Sequence, residues 1–437
     1  MHITYCGSYI FTPGCNEILY NSGTKAVYLV LIMEMQMRLQ RLESFRVYSM
    51  LVIVFAHAQF AINFAHASFT SDALKFCFVT VPRFTMPYFF ILSGYFIGGK
   101  IIQDEAKAVT VAIKYTKKLF LLYLLWWIIY LFEVPLMLHD YNYGIIRPAY
   151  WELMRLLRDD PVRMIMLGAG SGGHLWFLTT LIVTVWIFAL FALKKKTGGF
   201  MYLGIIMYIF GLLCGPYKFL SLGLDLYRKP AYFVIFSILF FSIGVAFHNK
   251  LPRISKKMAL GITFLGLAIY CSEAYFIWHQ WALSPLRNDF LVGTIPFGVG
   301  VFLLAFKQAD SNLDNLLGPY GKFIIGVYLS HMIFIDILKP YGDSMQPIVW
   351  QFMLPIMSFT CALCTTIIFS KTKLAHLFGV DVANQVSGVQ VGIMDRAKKY
   401  FKSHGVATSE AEKVKVEVNA IAIKTRSERE VDRVSRN

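Results

Sequence analysis

The chain of 437 residues is 57% hydrophobic and only 16% charged, a composition that excludes an ordinary soluble protein and indicates a polytopic membrane protein. A formal net charge of +16 would suggest nucleic-acid binding in a soluble protein. Here the lysines and arginines fall in short loops and at the C-terminus, so the charge predicts membrane topology rather than a nucleic-acid partner. The seven cysteines are scattered and odd in number, which argues against a disulfide framework.

The two ends of the chain differ from its apolar middle. We interpret residues 1–40 as an N-terminal leader or the product of a mis-called start. Their apolar run over residues 26–33 is shorter than the roughly 20 residues that a helix needs to cross a bilayer. Residues 373–437 are polar, mixed in charge and without a sustained apolar stripe, so we expect a disordered cytoplasmic tail.

Residues 41–372 are predicted to form an all-α bundle of about ten transmembrane helices. The ten apolar runs cover residues 45–64, 76–98, 116–137, 174–193, 200–216, 231–247, 258–278, 291–306, 322–338 and 348–370. Clusters of lysine and arginine lie between alternate runs, and the positive-inside rule places those loops in the cytoplasm. With ten spans both termini are cytoplasmic, and the loop at residues 138–173 lies on the opposite side.

The first span carries three ionisable groups on one face of its helix. Glu43 and Arg46 are three positions apart, and His57 lies eleven positions beyond Arg46. That spacing returns to within roughly 20° of the same face, about 16 Å along the axis. A buried imidazole is costly in a membrane span, so it predicts a functional role. The ordinary alternative is a neutral histidine that is hydrogen-bonded to a neighbouring helix.

Three later positions are further candidates in the spans. His331 lies about nine residues, or roughly 14 Å, into span nine, near the level of His57, although a neighbouring helix could equally satisfy its ring. Ser93-Gly94 indicates either close helix packing through small residues or a contact with the donor. Arg83 lies about seven residues in from the outer end of span two, and a guanidinium at that depth needs a partner. Glu133, near the outer end of span three, is a candidate only because it lies at a similar predicted depth.

Two residues open span four at the predicted outer face. His174 is a candidate for binding an acceptor substrate, because it lies where an external molecule could reach it. Trp176 fits an interfacial anchor better than a platform for a sugar ring.

Several short motifs occur in the order found in the acyltransferase 3 family, which the chain resembles over roughly residues 38–370. The motifs are Glu43-x-x-Arg46, the ten-residue gap to His57, Phe89-Phe90-Ile91-Leu92-Ser93-Gly94, Gly173-His174-Leu175-Trp176-Phe177-Leu178 and Tyr328-Leu329-Ser330-His331. Members are membrane proteins of about ten spans that O-acylate sugars of surface or exported glycans. Two sites depart from the family pattern. Glu43 replaces the usual Asp, and Lys114-Tyr-Thr-Lys117 replaces Arg-x-x-Arg, which keeps the charge but loses the bidentate fork.

The resemblance implies an O-acyltransferase that uses acyl-CoA, expected to be acetyl-CoA, and no metal. The implied acceptor is a sugar hydroxyl of a surface or exported polysaccharide or of its lipid-linked precursor, at the bacterial inner membrane. The residue types suit this chemistry, because a histidine can take the hydroxyl proton and an arginine can hold the phosphates of the donor. A CoA arm reaches about 15–20 Å, similar to the roughly 16 Å between Arg46 and His57.

The candidate site residues therefore fall into three groups. The catalytic candidates are His57, Glu43 and His331, the donor-binding candidates are Arg46, Ser93, Lys114 and Lys117, and the acceptor-binding candidates are Arg83, His174 and Trp176. The alternative function is a transporter or flippase for a glycan or acyl compound, in which buried charges would line a pathway. The absence of an inverted repeat in the sequence argues against that alternative.

Overall fold

The computed structural model describes residues 40–58, 76, 80–137, 146–159, 161–167, 172–220, 223, 230–252, 254–281, 290–306 and 312–380. The described residues form helices and no β-strand, as the all-α prediction requires. Residues 1–39 of the predicted leader, residues 381–437 of the predicted tail and residues 59–64 of the first predicted span lie outside the described residues.

Fourteen α-helices are described, and we number them in chain order. They are α1 (40–57), α2 (Thr85–Ser93), α3 (Gly99–Gln103), α4 (Ala108–Met137), α5 (Ile146–Asp159), α6 (Pro161–Leu167), α7 (Trp176–Leu193), α8 (Thr197–Leu213), α9 (Pro230–Asn249), α10 (Lys256–Trp281), α11 (Thr294–Ala305), α12 (Asn312–Leu317), α13 (Ile324–Leu338) and α14 (Pro347–Ser370). A 3-10 turn, Val81–Phe84, precedes α2, and a π-helical turn, Gly94–Gly98, joins α2 to α3. Further 3-10 segments are Glu105–Lys107, Gly172–Leu175, Gly318–Phe323, Lys339–Ser344 and Lys373–Phe378.

Five of the described helical stretches are long and apolar enough to cross a membrane. They are Glu105–Glu133, Gly172–Leu193, Lys256–Trp281, Leu313–Gly342 and Val349–Ser370. Three further apolar stretches are shorter, namely Thr197–Leu213, Val234–Asn249 and Thr294–Ala305. These eight stretches coincide with predicted spans three to ten, and α1 and the α2–α3 segment fall on spans one and two. The fold is therefore that of a multi-pass membrane protein.

Helix α7 shows how the sequence produces such an element. Its residues are apolar on every side, which suits a helix that is surrounded by other helices and lipid. Two of its threonines donate to carbonyls of the preceding turn, Thr179 to Trp176 at 2.9 Å and Thr184 to Thr180 at 2.8 Å, which is compatible with a continuous helix. The helix ends at a lysine run in which Lys195 takes a left-handed φ of 55°.

Helices α2 and α9 meet backbone to backbone. A Cβ added to Gly94 would lie 2.0 Å from the Phe241 carbonyl oxygen, and one added to Gly244 would lie 2.0 Å from the Ile91 carbonyl oxygen. Small residues allow this close approach, which is a common way for membrane helices to associate. Gly94 thus serves helix packing, one of the two readings that the motif left open.

The segment predicted to be a loop, residues 138–173, contains two helices, α5 and α6, that contact α4; its position outside the membrane stays a prediction. Leu153 of α5 packs against Leu131 and Trp127 of α4. The Tyr123 hydroxyl of α4 donates to the carbonyl of Ile165 in α6. A 14-residue amphipathic helix is too short and too polar to be recognised as a span, which is why the sequence pattern missed it.

Candidate active site

Three imidazole rings from distant parts of the chain meet inside the bundle. The ring centroids of His57 and His331 are 5.3 Å apart, those of His174 and His331 are 4.8 Å apart, and those of His57 and His174 are 6.1 Å apart. They come from the last turn of α1, the 3-10 turn Gly172–Leu175 and α13. His331 and His174 are buried, whereas His57 is exposed. His174 therefore belongs to an interior cluster, and its position at the outer face of the membrane stays a prediction.

The ring of His331 is held by its own helix. Its Nδ1 lies 2.8 Å from the Tyr328 carbonyl oxygen and 3.2 Å from that of Val327. Because both neighbours are acceptors, Nδ1 is the nitrogen that donates, and in the neutral form of the ring the lone pair is on Nε2. That Nε2 is buried and has no hydrogen-bond partner among the described residues. His331 thus presents an available basic nitrogen.

Two tyrosines flank His174 and fix the turn that carries it. The rings of Tyr130 and Tyr328 each lie 5.2 Å from the His174 ring in edge-on contact. The Tyr328 hydroxyl donates to the carbonyl of His174, and the Tyr130 hydroxyl donates to the carbonyl of Leu329 at 2.6 Å. The 3-10 turn is therefore tied to both α4 and α13.

The Glu43–Arg46 pair lies about three to four helical turns before His57 on α1. Arg46 Nη1 is 2.8 Å from Glu43 Oε1 and 2.7 Å from Oε2, which is the pairing expected from their spacing. The arginine side chain is only 5% exposed. Its Nε is buried and makes no hydrogen bond to any described residue. The Arg46 guanidinium therefore retains donor capacity that Glu43 does not use.

The segment after α12 packs tightly against this pair. A Cβ added to Gly321 would lie 2.2 Å from Glu43 Oε2 and 2.6 Å from Glu43 Cβ. On the other side of α1, the Tyr88 hydroxyl donates to the Leu42 carbonyl at 3.1 Å. The backbone around Glu43 is thus fixed from two directions.

An apolar cavity lies along this arrangement, and both Arg46 and Tyr328 line it. Along α1 it is lined by Arg46, Met50 and Ile53, and His57 follows one turn later on the same face. At the far end it is closed by Tyr328, whose ring contacts His174. The cavity thus runs from a guanidinium to the wall of the imidazole cluster.

The remaining donor-binding candidates relate to the cavity in different ways. Ser93 lines it, and its hydroxyl donates to the Phe89 carbonyl at 2.8 Å. Lys114 and Lys117 are exposed on α4 and are not part of the described cavity wall, to which Tyr115 between them contributes instead. Burial and the nearby charge of Lys114 lower the pKa of Lys100, which lies in α3.

Two acceptor-binding candidates, Arg83 and Trp176, lie near α2. Arg83 is half-buried in the 3-10 turn Val81–Phe84, and Glu133 is buried on α4. Their pairing stays a prediction. Trp176 is half-buried, with its ring centroid 6.3 Å from that of the buried Phe90. The indole therefore packs towards α2, and its role as an interfacial anchor stays a prediction.

Sequence reasoning did not single out Tyr115, Tyr130, Phe177 or Tyr328, all of which line the cavity or contact His174. A signal was available for Tyr328, because it stands one helical turn before His331 and so faces the same side. Among the described residues, no group of His, Cys, Asp and Glu is arranged to hold a metal ion.

Comparison with known proteins gives one match. The family model of an acyltransferase domain, that of acyltransferase 3, matches residues 39–371, which include every residue of the imidazole cluster and of the cavity wall. Neither a curated protein sequence nor a solved structure matches the chain.

Proposed function

Because the chain belongs to the acyltransferase 3 family, we propose that it is an integral membrane O-acyltransferase. Its donor is cytoplasmic acyl-CoA, with acetyl as the expected group. Its acceptor is a sugar hydroxyl of a surface or exported polysaccharide or of the lipid-linked precursor. The observation that carries this proposal is an apolar cavity with an incompletely hydrogen-bonded, buried Arg46 at one end and three imidazoles beyond the other.

The proposed topology has ten spans in the bacterial inner membrane, with both termini in the cytoplasm. It is supported by the five long and three shorter apolar helices and by the lysine and arginine clusters that separate them. In this orientation Arg46 lies at the cytoplasmic side and the imidazole cluster lies farther into the membrane. A domain of residues 41–372, preceded by a leader and followed by a polar tail, completes the proposal.

On the donor side, Arg46 is the residue proposed to hold phosphate oxygens. Its Nε is buried without a partner in the described part of the chain, and a charge-assisted bond to an anion would satisfy it. Glu43 orients the guanidinium through Nη1. Ser93 offers a hydroxyl oxygen to the cavity, and Lys114 and Lys117 supply positive charge near its mouth rather than in its wall.

At the other end, His57 is the proposed general base because it is the exposed member of the cluster. Its imidazole takes the proton of the acceptor hydroxyl while that oxygen attacks the thioester carbonyl. The carbon–sulfur bond then breaks, the new oxygen ester forms, and the departing thiolate receives the proton. His331 Nε2 is a second basic nitrogen beside His57. His174, with Arg83 and Trp176, is proposed to meet the acceptor.

The test is glycan acylation in a strain that lacks the protein and is complemented with variants. We expect His57→Ala and Arg46→Ala to abolish the modification, as measured by mass spectrometry of the surface polysaccharide, while glycan export continues. His279→Ala is the matched control, because that imidazole contacts Tyr275 and Trp278 on α10, away from the cluster. Loss of export would favour the transporter, and full acylation by well-expressed His57→Ala would refute the catalytic assignment.

A further inference from the structure

Helix α12 buries a carboxylate and exposes its leucines. Among its described side chains only Asp314 is buried, at 5% exposed, whereas Leu313 and Leu316 are 51% and 61% exposed. A buried carboxylate is costly unless other groups stabilise it. This six-residue helix is therefore oriented by its polar side rather than by an apolar one. The mechanism proposed above gives the Asp314 carboxylate no part.

Polar contacts tie α12 to one face of α1. The buried Ser44 hydroxyl donates to the Asp314 carbonyl at 2.7 Å, and the Tyr48 hydroxyl donates to Asp314 Oδ1 at 3.4 Å. Ser44 and Tyr48 are four residues apart, so they lie on the same face of α1. Arg41 is buried on α1, and both Arg41 and Asp314 lie within electrostatic range of Tyr48. Removing the carboxylate would therefore leave a buried cation with less compensating charge.

The chain that follows α12 passes from this face of α1 to Glu43. A Cβ added to Gly318 would lie 2.7 Å from Gln40 Cγ and 3.4 Å from Ser44 Oγ. Three residues later, Gly321 lies against Glu43, whose carboxylate oxygens are bonded to Arg46 Nη1. The segment Gly318–Phe323 follows α12 without a break, so the place where α12 is anchored sets the place where Gly321 meets Glu43.

We propose that Asp314 is a positioning residue for donor binding. By anchoring α12 to α1 it holds the segment that fixes Glu43, and it thereby sets the direction of the Arg46 guanidinium. The inference rests on the proposed function, in which Arg46 holds the phosphates of the donor. Asp314 and Tyr48 are not part of the described cavity wall, so loss of the carboxylate should weaken donor binding and leave the wall unchanged.

The deciding experiment measures initial rates against acetyl-CoA concentration for the purified full-length protein and its Asp314→Asn variant, with the unfolding temperature of each. Asparagine keeps the size of the side chain and removes its charge. We expect the donor KM to rise about fivefold or more, with kcat changed less than about twofold. Asp159→Asn is the matched control, because that exposed carboxylate pairs with Arg158 at the end of α5. An unchanged donor KM overturns the inference, whether kcat or the unfolding temperature falls or not.

A double mutant tests the route through Glu43. In a Glu43→Gln protein the orientation of Arg46 no longer depends on a carboxylate, so Asp314→Asn should change the donor KM there less than about twofold. A full rise in that background overturns the route. If Asp314→Asn does not fold, Ser44→Ala removes only the bond to the Asp314 carbonyl and should raise the donor KM about threefold. An unchanged KM in folded Ser44→Ala also overturns the inference.

The outcomes separate this inference from the function on which it rests. Failure of the unmodified protein to transfer an acyl group from any acyl-CoA refutes the proposed function. Transfer with a donor KM that Arg46→Lys raises and Asp314→Asn does not refutes only the positioning role.

Discussion

Replacing Gly321 with alanine tests whether the fixed position of the Glu43–Arg46 pair sustains donor binding. The new Cβ would lie 2.2 Å from Glu43 Oε2, 2.6 Å from Glu43 Cβ and 2.8 Å from the Glu43 carbonyl oxygen. The carboxylate oxygen can rotate away, but Cβ and the carbonyl cannot. The segment Gly318–Phe323 must therefore move away from α1, and overpacking of this kind costs about 1–3 kcal/mol.

If that cost falls on donor binding, the KM for acetyl-CoA rises about tenfold or more, since about 1.4 kcal/mol corresponds to one factor of ten. The assay is the initial rate against acetyl-CoA concentration, with thermal unfolding measured on the same preparations. Gly261→Ala on α10 is the control, because no described residue lies within 4 Å of the Cβ it would gain. A Gly321→Ala protein with the donor KM and unfolding temperature of Gly261→Ala would refute the reasoning.

Three further predictions concern tyrosines and one carboxylate. Glu273→Gln should lower the free energy of unfolding by about 1–3 kcal/mol in denaturation, because the carboxylate accepts from the Tyr217 hydroxyl at 2.6 Å and from two backbone N–H groups before α11 at 3.0 and 3.1 Å. An unchanged midpoint would contradict it. Burial and then Glu273 raise the pKa of Tyr217, so the stability it contributes is complete below about pH 10 and is lost at higher pH. Tyr217→Phe should therefore flatten the fall in unfolding temperature above pH 10, and an equally steep fall would count against this. Tyr328→Phe removes the bond to the His174 carbonyl but keeps the ring in the cavity wall, so kcat should fall about tenfold with donor KM unchanged; a change in KM alone would point to a donor contact.

Local periodicity was enough to predict that Glu43, Arg46 and His57 share one face of α1. Glu43 and Arg46 pair at helical spacing, and the face that they define continues through the cavity wall to His57. The sequence also placed His57 and His331 at a similar depth, and their ring centroids lie 5.3 Å apart. These relations depend on distance along a helix axis, which the sequence states directly. The chemical roles of these residues stay predictions.

The position of His174 could not be obtained in the same way. Its turn follows α5 and α6, and those helices lie along the bundle through contacts such as Tyr123 with Ile165 and Leu153 with Leu131. Such contacts join residues far apart in the chain and leave no periodic signal. The cavity wall also leaves no periodic signal in the sequence, since it combines residues from α1, α2, α4, α7 and α13. Helix spacing alone does not say which side chains of different helices will share a space.

The backbone contact between α2 and α9 has a consequence for how the molecule can adapt. At Gly94 and Gly244 no side chains separate the two backbones. No rotamer change can therefore alter the spacing of the two helices at this contact, and we expect them to move as one unit. One wall of the cavity, from Met86 to Ile97, is formed by α2 and the π-helical turn that follows it. A change in the shape of the cavity must then come from the other helices that line it, whose bulky side chains can change rotamer without movement of the backbone.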